Sequence, residues 1–339
     1  MNDRIDQIGA REPLATRGPR RGAALLSGLI LLTAACESPG PGPRVDHHQH
    51  LLSPALAEVW KEEPIDADLL IERLDELGSQ RAVVLSLAYV WGSPGLSPRP
   101  ADEYGAVRAE NDWTAQQVAR HPDRLTAFCS VNPLADYALT EIDRCAADPR
   151  LRSGLKMHFG NSRVNLEVPE HVAQLRRVFA AANGRRMPIM AHVWTGDDKI
   201  LSPFEARDAR TFVDEVLPTA PDVTVQIAHL GGSGPRLDPG TRAAMVVLAE
   251  AASRGEAAMK NVYFDVTTNI HPQSPPEDVE FMTARMRQIG MSRLLYGSDA
   301  ATGENPMPVK YWRALRKRSG LTPSELDTIA NNVAPYLRK

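Results

Sequence analysis

The sequence predicts a single-domain (β/α)8 TIM barrel, and three observations carry that prediction. Eight short apolar runs alternate with helix-period segments from Val45 to the end of the chain. Polar residues recur where these runs end, which is the face on which such barrels carry their chemistry. The rival, an open doubly wound sheet, calls for a glycine-rich phosphate turn. The cluster Gly231-Gly232-Ser233-Gly234 lacks the dinucleotide spacing.

The elements follow in order. Residues 45–51 form the first strand, directly after a Pro- and Gly-rich stretch. Asp66 caps a helix whose Leu69, Leu70, Leu74 and Leu77 fall at helical spacing, and Gly78 ends it. Residues 81–87 are the second strand and 88–103 a long Pro- and Gly-rich loop. A helix at 104–120 stops before Pro122. Strands at 125–131, 154–158, 188–192, 223–229, 262–266 and 294–298 complete the eight. Helices at 138–147, 171–183, 203–217, 241–254 and 276–289 separate them, and helical stretches at 310–319 and 323–337 close the chain.

The first 44 residues read differently. Arg17, Arg20 and Arg21 precede an apolar run at 23–33, and Ala34-Ala35-Cys36 follows it. That is the layout of a secretory signal peptide, and the run is too short for the roughly 20 residues of a spanning helix. Leu-Thr-Ala-Ala-Cys resembles a bacterial lipoprotein processing box, so residues 1–36 are expected to direct export and Cys36 to carry lipid. A soluble secreted protein cut near the same place is the alternative. Residues 37–44 are read as an extended, hydrated linker and 45–339 as the barrel domain. The expected location is the periplasmic side, with membrane contact only through this anchor. A net charge of −3 gives no argument for nucleic acid as a partner. Cys36, Cys129 and Cys145 suggest neither a paired framework nor a Cys-x-x-Cys site. Oligomeric state is not legible.

The chemistry concentrates at the strand ends. Val-Asp-His-His-Gln-His-Leu at 45–51 places Asp46, His48 and His50 two apart. Strict alternation puts them on one strand face, with His47 and Gln49 on the other. Two imidazoles so placed suit a first-row divalent ion. Lys156 and His158 end the fourth strand, His192 the fifth, His229 the sixth and Asp299 the eighth. A buried polar residue at one strand end is ordinary, but five strands repeating the placement is not.

Asp-x-His-x-His followed by Lys, His, His and Asp on strands four, five, six and eight resembles the ordered signature of the amidohydrolase superfamily. Gly-x-Lys-x-His, Ala-His-Leu-Gly-Gly and Gly-Ser-Asp look most like its amidohydrolase-related branch of decarboxylases and lactonases. The resemblance implies that His48, His50, His192 and Asp299 hold one divalent ion, Zn2+ or Mn2+. It implies that His229 and Asp299 are catalytic. Lys156 takes the place of a lysine that some members carbamylate to bridge two ions, and in a one-ion site it is a lumen cation. His158 would touch substrate or support a ligand, and Asp46 would orient the histidines as a hydrogen-bond acceptor. The expected activity is metal-dependent hydrolysis of a lactone, ester or amide in a small molecule. The alternatives are metal-dependent non-oxidative decarboxylation and a binding protein without turnover.

Overall fold

The computed structural model describes residues 42–196, 204–234, 237–299 and 308–338. The expected signal peptide, Cys36 and most of the linker lie outside them. Residues 42–44 do not behave as a hydrated tether. The Pro43 carbonyl accepts from Ser79 Oγ at 2.6 Å, and the Arg44 N–H donates to the Ala330 carbonyl at 2.7 Å.

Eight strands form one parallel sheet in sequence order: β1 Val45–Gln49, β2 Arg81–Leu85, β3 Leu125–Ser130, β4 Leu155–His158, β5 Ile189–His192, β6 Val225–Ile227, β7 Val262–Asp265 and β8 Leu294–Leu295. The sheet curls back on itself. His47 N–H donates to the Tyr296 carbonyl and Asp299 N–H to the His48 carbonyl, both at 2.8 Å, so the exit of β8 joins β1. Helices between the strands cover the outside, giving a nearly closed (β/α)8 barrel. Its apolar interior includes Val45, Val83, Leu85, Phe128 and Met190, all buried. Among the described residues no helix is long and apolar enough to cross a membrane.

Local signals explain the element ends. Asp66 accepts from Leu69 N–H at 3.0 Å at the start of the helix Ala67–Leu77, and Gly78 ends it at φ 79°. Two short helices arise where the sequence reading placed only loop. Pro54–Trp60 has Ser53 as its cap and proline in its first turn, a pattern that was readable. Ala88–Trp91 interrupts the stretch expected to be a long loop, and the Tyr89 N–H donates to Ser130 Oγ at 2.8 Å.

Two expectations are corrected. The first is alternation along β1. Val45 and Asp46 pair with Arg81 and Ala82, but Gln49 pairs with Val84, so three steps of β1 oppose two of β2. This bulge breaks the period-two rule. Asp46 therefore lies not with the histidine rings but with Gln49 and Ser298. Its Oδ2 accepts from Gln49 Nε2 and from Ser298 Oγ, each at 2.7 Å. Its Oδ1 accepts from the His48 and Ser298 backbone N–H groups at 3.2 and 3.1 Å. Burial pushes this carboxyl up to about 7 against the pull of those four donors. Asp46 is thus a staple between β1 and the end of β8. His47, expected on the face opposite His48, is buried with Nδ1 donating to the Tyr296 carbonyl at 3.0 Å and Nε2 accepting from Ala334 N–H at 3.2 Å.

The second correction is the cysteines. Cys129 on β3 and Cys145 on the helix Ala138–Ala147 are joined in a buried disulfide, with Cα atoms 6.2 Å apart and a sequence separation of 16. Closing a loop of that length restricts the unfolded chain, a stabilisation of about 3 kcal/mol. Reduction, or Cys145→Ala, is expected to lower unfolding stability by that order in denaturant titration. Free thiols at both Cys129 and Cys145 in the denatured, non-reduced protein, located by alkylation and peptide mapping, would show that the bridge does not form.

Candidate metal centre

The strand ends bring His48, His50, Lys156, His158, His192, His229 and Asp299 to one mouth. The imidazole rings follow one another around it. Centroids are 5.3 Å apart for His48 and His50, 4.9 Å for His48 and His229, and 4.6 Å for His229 and His192. His158 stacks on His192 at 4.0 Å.

The outer nitrogen of three of these rings is committed. His50 Nδ1 donates to the Leu85 carbonyl at 2.7 Å and His229 Nδ1 to the Thr267 carbonyl at 2.9 Å. A carbonyl only accepts, so each Nδ1 carries a proton, and in the neutral form of either ring the lone pair is on Nε2. His48 Nδ1 meets the Asp265 carboxylate at 3.2 Å, which fixes the same tautomer. Burial opposes the Asp265 charge, yet the His48 and His229 contacts hold it well below the usual carboxylate range. Asp265 also accepts from the His229 N–H and from Gln226 Nε2, each at 2.8 Å.

The three Nε2 lone pairs face Asp299. Its Oδ1 is 3.4 Å from His48 Nε2 and 3.3 Å from His50 Nε2, and its Oδ2 is 3.7 Å from His229 Nε2. Burial holds the His48 ring down to about 4, with Lys156 adding to the effect, and burial lowers His50 too. In their neutral form the His48 and His50 rings present acceptors to a carboxylate, a crowding that positive charge relieves. Lys156 Nζ meets His48 Nε2 at 3.5 Å, and a bound cation would serve the lone pairs that Lys156 does not reach. Ligand atoms of His48, His229 and Asp299 lie within 4.8 Å of one another. The buried Nε2 atoms of His192 and His229 have no hydrogen-bond partner. Nitrogen and carboxylate donors with their far sides already anchored fit a divalent first-row ion.

Lys156 is fully buried in the lumen, its Nζ 3.5 Å from His48 Nε2 and 3.6 Å from Met190 Sδ. Burial pushes its ammonium down to about 8. His158 accepts from the Asn161 N–H at 3.2 Å, and burial holds it well below the ordinary imidazole value. The structure adds Asp265 to the residues chosen from sequence. The signal was present: Asp265 ends the apolar strand Val262–Asp265, as the other site residues end theirs. At the rim, Trp91 donates to Glu110 at 3.1 Å, Trp194 to Thr241 at 3.2 Å, and Arg99 pairs with Glu103. Lys199 and Arg236, on the loops after β5 and β6, lie outside the described residues.

The backbone is strained where the site is built. His229, Leu230, Thr268 and Asp299 have φ of 52°, 57°, 51° and 53°, a region that costs non-glycine residues energy. Gly297 allows the closest approach. A Cβ there would collide with Thr267 Oγ1 and come within 2.5 Å of His48 Cβ, so the glycine of Gly-Ser-Asp lets β8 set Asp299 against β1.

A parallel barrel whose mouth gathers imidazoles around one carboxylate is a scaffold for divalent-ion chemistry. The amidohydrolase family model matches residues 45–332, and the chain belongs to that family. Nothing matches among curated proteins. Solved structures share the fold. A 2,6-dihydroxybenzoate decarboxylase in complex with 2,6-dihydroxybenzoate is 16% identical with TM-score 0.57, covering 86% of this chain and 96% of its own. An amidohydrolase from Burkholderia multivorans with bound zinc is 13% identical with TM-score 0.53, covering 85% and 96%. A probable 2-pyrone-4,6-dicarboxylic acid hydrolase from Acinetobacter baumannii with bound citric acid is 16% identical with TM-score 0.53, covering 85% and 96%.

Asp265→Asn is expected to weaken zinc binding about 10- to 100-fold, because the His48 ring loses the carboxylate that orients it. Competition with a chromophoric chelator measures this. An unchanged affinity would remove Asp265 from the metal-supporting set.

Proposed function

We propose that the protein is a metal-dependent hydrolase of a small molecule, acting on a lactone, ester or amide bond. The observation that carries the reading is the split use of the Asp299 carboxylate. One oxygen faces the His48 and His50 lone pairs, and the other faces His229. The first oxygen sits where an ion belongs, the second where a proton belongs.

In this reading His48, His50 and Asp299 hold one ion, and His192 completes the set with its partnerless Nε2. Zinc suits three nitrogens and a carboxylate, and manganese is the alternative. When bound, the ion supplies water acidified toward neutral pH and a positive charge for the substrate oxygen. The chain does the rest. Asp299 Oδ2 takes a proton from the attacking water. His229 Nε2, 3.7 Å from that oxygen, receives the proton once the two groups close to hydrogen-bond distance and donates it to the departing oxygen or nitrogen. The Thr267 carbonyl, bonded to His229 Nδ1, stabilises the imidazolium that forms in between. Lys156 remains a lumen cation beside His48 in this one-ion site.

Decarboxylation, the activity in the names of several structural neighbours, is the second reading. It needs a clamp for a carboxylate, and fork-like guanidinium contacts serve best. Arg99 is engaged with Glu103, while Arg163, on the loop after β4, ends its helix in a left-handed turn at φ 51°. A guanidinium of Arg163 turned into the mouth would favour this reading.

A panel of lactones, esters, amides and aromatic carboxylic acids, run in oxygen-18 water, separates the two. Hydrolysis places one heavy oxygen in the product, and Asp299→Asn lowers turnover by at least about 100-fold. His192→Ala should lose metal, whereas His229→Ala should keep metal and lose turnover. Carbon dioxide release without solvent oxygen in the product would replace hydrolysis by decarboxylation. Metal binding without turnover across the panel would favour a binding protein.

We further propose that the protein is exported and lipid-anchored through Cys36. The 1–36 pattern supports this, and the Cys129–Cys145 bridge belongs to an oxidising compartment. Radiolabelled palmitate should enter the wild-type protein and not Cys36→Ala. Absence of label in the wild type would leave a soluble secreted protein or none exported.

A further inference from the structure

Beyond the ring of metal-centre residues, the loop that follows β7 and the helix Pro308–Arg318 enclose a cleft of about 410 Å³. Lys310, Arg313 and Lys317 line one wall, at spacings of three and four that put them on one helix face. All three are exposed, and none pairs with an acid among the described residues. Pro272, Val309 and Ala314 supply an apolar floor. The loop is held against the helix by Arg318, whose guanidinium donates to the Ser274 carbonyl at 2.6 Å and to the His271 carbonyl.

The charge arrangement is unexplained by the helix itself. Lys310, Arg313, Arg316, Lys317 and Arg318 are basic, and the segment Pro308–Arg318 contains no acid. Cations in the last turn are favoured by the helix dipole, which accounts for Arg316, Lys317 and Arg318. The same dipole disfavours Lys310 in the first turn. Like charges at spacings of three and four also destabilise a helix. The chain as a whole is slightly acidic at −3, so this cluster is no spill-over of a general basic excess.

We propose that this cleft binds a small organic dianion: a phosphate or paired carboxylates carried on an apolar body. The three cations meet the charge, and Pro272, Val309 and Ala314 meet the body. A membrane surface fits less well. The helix's exposed positions are Lys310, Arg313, Arg316 and Lys317, with no large apolar side chain to insert, because Tyr311, Trp312 and Leu315 are buried. The same burial removes the aromatic platform that a single-stranded nucleic acid would stack on. The proposal does not depend on the hydrolase reading, since the cleft shares no residue with the metal centre.

Calorimetry with phenyl phosphate as the probe tests it on the full-length protein. A site is expected whose affinity falls with added salt and drops at least tenfold in Lys310→Gln/Arg313→Gln/Lys317→Gln. His48→Ala should retain that site, which separates it from phosphate held at the metal centre. Circular dichroism checks that the triple variant, altered only at exposed positions, remains folded. The single reversal Lys317→Glu is a second variant expected to weaken binding. Binding lost in His48→Ala but kept in the triple variant would overturn the proposal. So would no binding of the probe, or binding only to vesicles containing anionic phospholipid, which would make this face a membrane contact.

Discussion

The structure depends on one constraint: imidazole nitrogens whose far sides are tied down, so that their lone pairs must meet at Asp299. The Leu85 and Thr267 carbonyls and the Asp265 carboxylate hold Nδ1 of His50, His229 and His48. None of these acceptors can be satisfied by the other tautomer. The rings therefore cannot relieve the crowding by flipping, and the negative side of the site is fixed before any ion arrives. In electrostatic terms this is preorganisation: desolvation of the rings and carboxylates is borne by the barrel, and bound positive charge offsets it.

The barrel supplies that rigidity through its closure. Gly297 permits the end of β8 to approach β1 at van der Waals limits, and Asp46 ties the two by accepting from the Ser298 hydroxyl and N–H. The Asp299 N–H then bonds the His48 carbonyl, which links the carboxylate and one of its imidazole partners through the main chain as well. Left-handed backbone at His229, Leu230, Thr268 and Asp299 shows where the strain of aiming these groups is stored.

Much of this was legible in the sequence. Alternating apolar runs and helix-period segments specify the barrel, because parallel strands buried on both faces need continuous apolar runs. Polar residues interrupting those runs at their ends mark the mouth. What was not legible has physical causes. The bulge in β1 adds one residue without any composition signal, so counting alternate positions assigned Asp46 to the wrong partners. Asp265 was readable from its place at a strand end but has no histidine beside it to draw attention. Cys129 and Cys145 are 16 apart in sequence, and only the packing of a strand on its following helix shows that they meet.

The central claim is that one divalent ion sits among imidazole nitrogens and the Asp299 carboxylate. X-ray absorption at the metal edge of the purified protein tests it most directly. The account predicts a first shell of nitrogen and oxygen at about 2.0–2.2 Å with the outer-shell scattering of several imidazoles. It predicts neither sulfur in the first shell nor a neighbouring metal. Thiolate scattering, a metal–metal vector, or an all-oxygen shell without imidazole would contradict it.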